Sequence, residues 1–347
     1  MTRLDTKLEA IRAGRYRKSD FIIADAKDPD MGSGILGHGV VRSPDGTSVR
    51  GRTRAEFIDE IVRIIDQDIV DIMLVSASNL DLLHRRGAFQ GSAVKPAVRL
   101  NDTPDGWGGI RHARYHQEPS TPFRTASLAR TMSGTATPSV GAPVAGTDLG
   151  LYSVTFMNER KADLASLEAF SAFRAEVAAN NMKYFFEIFN PNVESGMSQE
   201  EIGEYINDCI VRALAGVAQA DRPQFLKLVY NGPKALEELA SFDPSLVVGV
   251  LGGGAGTTRD TFELLSQAER FGARVALFGR KIKLAEDSLA LIAMMRQVVD
   301  GALTPEEAVK AYHGELQKAG ITPLRSLADD REITEPVLGA AARKKAA

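Results

Sequence analysis

Residues 224–233 read QFLKLVYNGP. Phe225, Leu226, Leu228, Val229 and Tyr230 have the composition of a strand buried in a parallel sheet or barrel, and Asn231, Gly232 and Pro233 end it. Lys227 stands in the middle of that strand. A lysine is strongly hydrated and is rarely buried without a reason. On a barrel strand it must face either the apolar helix shell or the lumen, and the lumen is the side that tolerates it. Burial there disfavours the ammonium, and a neutral amine near pH 7 attacks a ketone or aldehyde to form a Schiff base. The same position also suits a lysine paired with a carboxylate, or one that binds phosphate.

Further groups could act with it. Glu187 lies in KYFFEIFNP, otherwise aromatic and aliphatic, so an inward carboxylate there needs a partner or a raised pKa. A Glu187–Lys227 pair would supply an amine and a proton shuttle, or simply a structural ion pair. Asp25 closes the first strand in FIIADAKDPDMGSG and is favoured there as an acid–base group over its neighbours Lys27, Asp28 and Asp30. Tyr230 is a possible second proton carrier, and Arg99 can hold a hydroxyl or an anionic group. LGGGAGTTRD (251–260) offers Gly252, Gly253 and Gly254, whose backbone amides can approach an anion with the dipole of the following helix behind them; Thr257 and Thr258 suit helix caps equally. LFGRKIK (277–283) adds Gly279 and Arg280. Loops after the last two strands of a barrel often form a phosphate site. His112 and His116 are four apart in RHARYH, but no H-x-H or H-E-x-x-H accompanies them, so no metal is expected.

These residues need a frame. Apolar runs at 21–24, 69–75, 94–100, 149–156, 183–189, 225–230, 246–250 and 273–278 alternate with helical or loop-rich stretches. Helical spacing appears at 54–67, 163–180, 199–219, 234–241, 258–271, 288–299 and 305–319. Eight strands, each followed by a helix or long loop, predict an α/β fold, a (β/α)8 TIM barrel in one domain spanning 1–347. Catalytic groups then belong at the C-terminal strand ends. Residues 101–146 are rich in Gly, Pro, Ser and Thr and too long for an ordinary connection, so they read as an insertion or lid, with Trp107 a lid or subunit contact. Residues 335–347 read as a tail without fixed structure.

The composition fits this frame. Of 347 residues, 44% are hydrophobic and 25% charged, which is globular. A net charge of −3 gives no basic stripe for nucleic acid or a membrane surface. Cys209 is the single cysteine, which excludes an intrachain disulfide; its helical context makes it a core residue. The N-terminal twenty residues lack an apolar signal region, and no apolar run approaches the roughly 18 residues that span a bilayer. The expectation is a cytoplasmic protein.

From 184 to 320 the chain resembles the archaeal-type class I fructose-bisphosphate aldolase family, with tagatose-bisphosphate aldolase and the phospho-autoinducer-2 thiolase as relatives. The family's sixth-strand motif K-x-x-Y-x-G is matched by Lys227, Tyr230 and Gly232. Its Gly-Gly phosphate loop is matched by Gly252–Gly254, and its eighth-strand G-R by Gly279 and Arg280. GALTPEEAV (301–309) is also typical. The first-strand motif D-H-G is replaced by Asp25-Ala26-Lys27, and the fifth-strand tyrosine that donates a proton has no counterpart near Phe189; Glu187 is more similar to the carboxylate of the tagatose-type branch. The resemblance implies a TIM barrel, a Schiff base on Lys227, a phosphorylated sugar or keto substrate, no cofactor, and a homo-oligomer. The expected activity is class I aldolase-type carbon–carbon lysis. Transfer of thiolase or transaldolase type on the same imine, and a non-catalytic sugar-phosphate-binding barrel, are the alternatives.

Overall fold

The computed structural model describes residues 2–101, 109–139 and 143–343. Ten strands occur among them: β1 (Ile22–Lys27), β2 (Val40–Arg42), β3 (Val49–Gly51), β4 (Ile72–Val75), β5 (Lys95–Arg99), β6 (Leu149–Thr155), β7 (Lys183–Phe189), β8 (Leu226–Leu228), β9 (Gly249–Leu251) and β10 (Val275–Phe278). Eight of them close a parallel barrel in the order β1-β10-β9-β8-β7-β6-β5-β4, with β1 paired to both β10 and β4. Each expected strand is present, and the fold is the (β/α)8 barrel. β2 and β3 form an antiparallel hairpin inside the loop after β1.

Strand alternation divides the apolar side chains into two sets. Ile22, Ala24, Ala26, Leu151, Phe185, Phe225, Val275 and Leu277 belong to one cluster, which fills the lumen. Ile23, Met73, Val75, Tyr152, Phe186 and Leu228 belong to the other and pack on the helices. A helix the sequence reading did not anticipate, Arg3–Arg12, brings Leu4, Leu8 and Ile11 to the lumen cluster. Their spacing of four and three puts them on one helix face. Thr2 and Asp5 form its capping box, which satisfies two otherwise unpaired helix amides. The same device opens helices Arg54–Gln67, Gln199–Ala215 and Pro305–Lys318.

Two expectations change. The insertion is more than loop where it is described: Leu128–Ser133 is helical, Leu128 is fully buried, and Arg124 pairs with Glu176 at 2.6 Å. Trp107 lies outside the described residues. The tail expected at 335–347 has fixed structure over its first part: Pro336–Arg343 is a helix, Leu338 is fully buried, and Glu335 pairs with Lys281 at 2.8 Å. Among the described residues, no helix is long and apolar enough to cross a membrane. Cys209 is half-buried against the shell core, and burial pushes its thiol up to about 11.

Candidate active site

Phe225 faces the lumen, so Lys227, two residues on, faces it too. Lys227 is 5% exposed and stands opposite Glu187 in the β7–β8 register, while Glu187 stands opposite Ser153 in the β6–β7 register. Three polar side chains thus share one level of the lumen. Glu187 Oε1 accepts from the Lys227 ammonium. Its Oε2 accepts from Ser153 Oγ at 2.6 Å and from Arg99 Nη2 at 2.9 Å. Arg99 also donates to Ser153 Oγ at 2.9 Å and, through Nε, to Asp28 Oδ2. Asn101 fixes the same level by accepting from Ser153 N–H at 2.6 Å and donating to Ser153 C=O at 2.8 Å. Burial works to raise the Glu187 pKa, but the charges of Lys227 and Arg99 outweigh it and hold the carboxyl below its usual range. Burial likewise opposes the Arg99 charge, and Asp28 with Glu187 overcomes it, so the guanidinium is held more firmly than usual.

Above this level lies a cavity of about 600 Å³ at the C-terminal end of the barrel. Lys227, Glu187 and Arg99 line it from the strands, Asp28 from just past β1, and Gly252, Gly253, Gly279, Arg280 and Lys283 from the segments after β9 and β10. Gly253 has φ 65°, a left-handed conformation that glycine adopts without strain. Gly254 is not in the wall. The helix Thr258–Arg270 does not present a free N-terminus: Thr257 is its N-cap, Thr257 N–H donates to Asp260 at 2.9 Å, and Thr258 N–H donates to Asp330 at 2.8 Å. An anion here therefore meets the glycine loop, Arg280 and Lys283 rather than that dipole. Lys283 donates to the Gly37 carbonyl at 2.8 Å. Burial, with the nearby charges of Lys27 and Arg280, pushes its pKa down to about 8. Among the described residues, no carboxylate pairs with Arg280 or Lys283.

Two expected site residues are elsewhere. β1 runs on to Lys27, and because Ala24 and Ala26 face the lumen, Asp25 and Lys27 face the shell. Lys27 Nζ lies 3.4 Å from Asp25 and 3.0 Å from Glu60 of helix Arg54–Gln67. Glu60 also binds Arg52 and accepts from Ser288 Oγ at 2.8 Å. Burial pushes the Asp25 carboxyl up to about 6, against the opposing charge of Lys27. Burial lowers the Lys27 pKa. Tyr230 also points outward: its hydroxyl donates to Gln267 at 2.8 Å inside the shell. The acid that lines the cavity just past β1 is Asp28, which continues the parity of Ala24 and Ala26. Ser153, Lys283 and His116 were also not anticipated as site residues. His116 reaches the cavity from the insertion. Among the described residues, no group of three or more His, Cys, Asp or Glu could hold a metal ion.

No protein-family description and no curated protein sequence matches the chain. Solved structures do resemble it. An archaeal fructose 1,6-bisphosphate aldolase superposes with a TM-score of 0.59 at 14% identity, covering 86% of this chain and 99% of its own. Another archaeal fructose-1,6-bisphosphate aldolase, with its catalytic lysine bound to the carbinolamine intermediate, gives 0.58 at 15%, covering 86% and 100%. The fructose-bisphosphate aldolase from Slackia heliotrinireducens gives 0.62 at 12%, covering 90% and 91%. At these identities the likeness concerns the fold, and it places barrels of fructose-bisphosphate aldolases among the structural neighbours of this chain.

Proposed function

We propose that the protein is an imine-forming, class I aldolase-type carbon–carbon lyase acting on a phosphorylated sugar or keto compound. One observation carries the reading. A single cavity joins a lumen lysine in contact with a carboxylate, Lys227 and Glu187, to a rim with two cations, Arg280 and Lys283, neither in an ion pair with a carboxylate among the described residues. The first pair suits imine chemistry and the second suits a phosphoryl group. The likeness in fold to aldolases, one of them with a lysine-bound carbinolamine, agrees with it.

The rim holds the phosphoryl group, through Gly252, Gly253 and Gly279 amides and the Arg280 and Lys283 cations. The ketone carbonyl then lies over Lys227. Glu187 takes a proton from the ammonium, and the freed amine adds to the carbonyl to give a carbinolamine, which loses water to the imine. Arg99 and Ser153 fix Glu187 beside the nitrogen during both steps. The imine accepts the electron pair of the breaking C–C bond. Leu251 and Leu277 in the wall limit water at the imine.

Borohydride reduction in the presence of a panel of phosphorylated and unphosphorylated ketones, followed by intact-mass measurement and peptide mapping, tests this. The expected result is one stable adduct on Lys227, absent from Lys227→Met, and strongest with a phosphorylated ketone. An adduct on Lys283, whose amine is freed near pH 8, would reassign the nucleophile. No adduct, with ligand-induced thermal stabilisation alone, would instead indicate a sugar-phosphate-binding barrel.

A further inference from the structure

Cleaving or forming the C–C bond requires a proton to be taken from and returned to the substrate's own atoms, beyond the protons moved at the lysine nitrogen. The cavity holds few groups free to do this. Glu187 has donors on both oxygens and is held ionised by Lys227 and Arg99. Asp28 is engaged with Arg99. Among the described residues, no tyrosine or cysteine lines the cavity, and Tyr230 faces the shell. Among the described residues, the charged groups facing the cavity are Asp28, Glu187, Arg99, Lys227, Arg280 and Lys283, and the one imidazole is His116. An imidazole ring carries one nitrogen that can accept a proton and one that can donate it.

The chain beside His116 is anchored. His116 lies in the 3-10 turn Tyr115–Gln117, and the chain just beyond it is fastened to the loop after β7. Asn192 accepts from Ser120 N–H at 3.1 Å and donates to Glu118 C=O at 2.8 Å. Three residues before Asn192, Phe189 lines the cavity beside Glu187. The insertion after β5 thus brings an imidazole to the wall of the cavity that also carries the Lys227 amine.

We propose that His116 is the proton-transfer residue for the substrate's hydroxyl and carbon, on the imine scheme proposed above. A neutral ring nitrogen of His116 takes the proton from the hydroxyl of the imine adduct. The O–H electrons become the second bond of the product aldehyde, the C–C bonding pair moves to form the enamine, and the iminium nitrogen is neutralised. The imidazolium then returns its proton to the enamine carbon. Water hydrolyses the resulting iminium, which releases the ketone and frees Lys227. Glu187 serves the nitrogen, and His116 serves the carbon and oxygen.

Dihydroxyacetone phosphate in deuterium oxide isolates this step, because exchange of its carbon-bound proton needs both the imine and a base. Wild type, His116→Gln and His116→Ala with and without added imidazole are compared by NMR exchange and by borohydride trapping. The expected result is trapping on Lys227 in every variant, exchange about a hundredfold slower without the imidazole side chain, and partial recovery of His116→Ala by added imidazole. Undiminished exchange in His116→Gln would overturn the role while leaving the imine intact. Loss of trapping in His116→Gln would make the residue structural. Absence of both trapping and exchange in wild type would overturn the imine scheme itself, and this role with it.

Discussion

Glu187 stands opposite Lys227 in the β7–β8 register and takes its ammonium on one carboxylate oxygen, while Ser153 and Arg99 take the other. The carboxylate is thus oriented from behind and can exchange a proton with only one group. In Glu187→Gln the shape is kept, but Lys227 loses its counter-charge and Arg99 keeps only Asp28. Breaking a buried pair by removing one partner costs about 3–5 kcal/mol. We expect urea denaturation to show a loss at the lower end of that range, since the amide still accepts one bond. Trapping of a ketone on Lys227 should slow by about a hundredfold, the scale of one lost acid–base group. An unchanged trapping rate would remove Glu187 from the proton path.

Asp25 provides the opposite case, a buried carboxylate outside the cavity. Its folded pKa of about 6 lies above its ordinary value, so the folded chain binds this proton more tightly than the unfolded one. Stability from this group is therefore present at low pH and falls as pH rises from about 4 to about 6, by about 3 kcal/mol in total. Asp25→Asn, with Lys27 still paired to Glu60, should gain on wild type by up to that amount between pH 4 and pH 7 in chemical denaturation. Ketone trapping should be unaffected. A pH-independent difference, or loss of trapping, would contradict the outward placement.

The contrast between Asp25 and Asp28 shows what the sequence could reveal. The eight strands were legible because short apolar runs of strand length are separated by helical periods. Lys227 and Glu187 were legible because each is a charge in the middle of an apolar run, and here the lumen holds both. Asp25 was misplaced because the first strand was ended at residue 24. The strand continues to Lys27, and a parity count from Ile22 through Ala24 and Ala26 points to Asp28. Tyr230 yields to the same count, three residues from Lys227. His116 and Lys283 are different. Each reaches the cavity through long-range contacts, Asn192 with 118–120 and Gly37 with Lys283, and no local pattern encodes those.

Lys283 couples the cavity rim to the loop after β1 and has the lowered amine described above. A lysine is charged below its pKa, so its attraction for a phosphoryl dianion is present at pH 7 and fades above about 8. Calorimetric titration with dihydroxyacetone phosphate should show affinity falling about tenfold between pH 7 and pH 9.5, equal to about 1.4 kcal/mol. Lys283→Met should bind more weakly at pH 7 and show a flatter profile. An equal pH dependence in both proteins would place the phosphoryl group away from Lys283.

The last helix should matter to stability because it fastens the rim from outside. Thr334 N–H and Glu335 N–H donate to Asp260 at 2.8 and 3.2 Å, Glu335 holds the buried Lys281 next to Arg280, and Leu338 is fully buried in the shell core. Leu338→Ala leaves a cavity in that packing, and such truncations cost about 2–5 kcal/mol. Denaturant unfolding should show a loss in that range. Because Lys281 and Arg280 share one short helical turn, Glu335→Ala should weaken dihydroxyacetone phosphate binding while leaving reduction-trapped adduct on Lys227 attainable at saturating ketone. A Leu338→Ala variant as stable as wild type would mean that 336–343 does not pack on the barrel in solution.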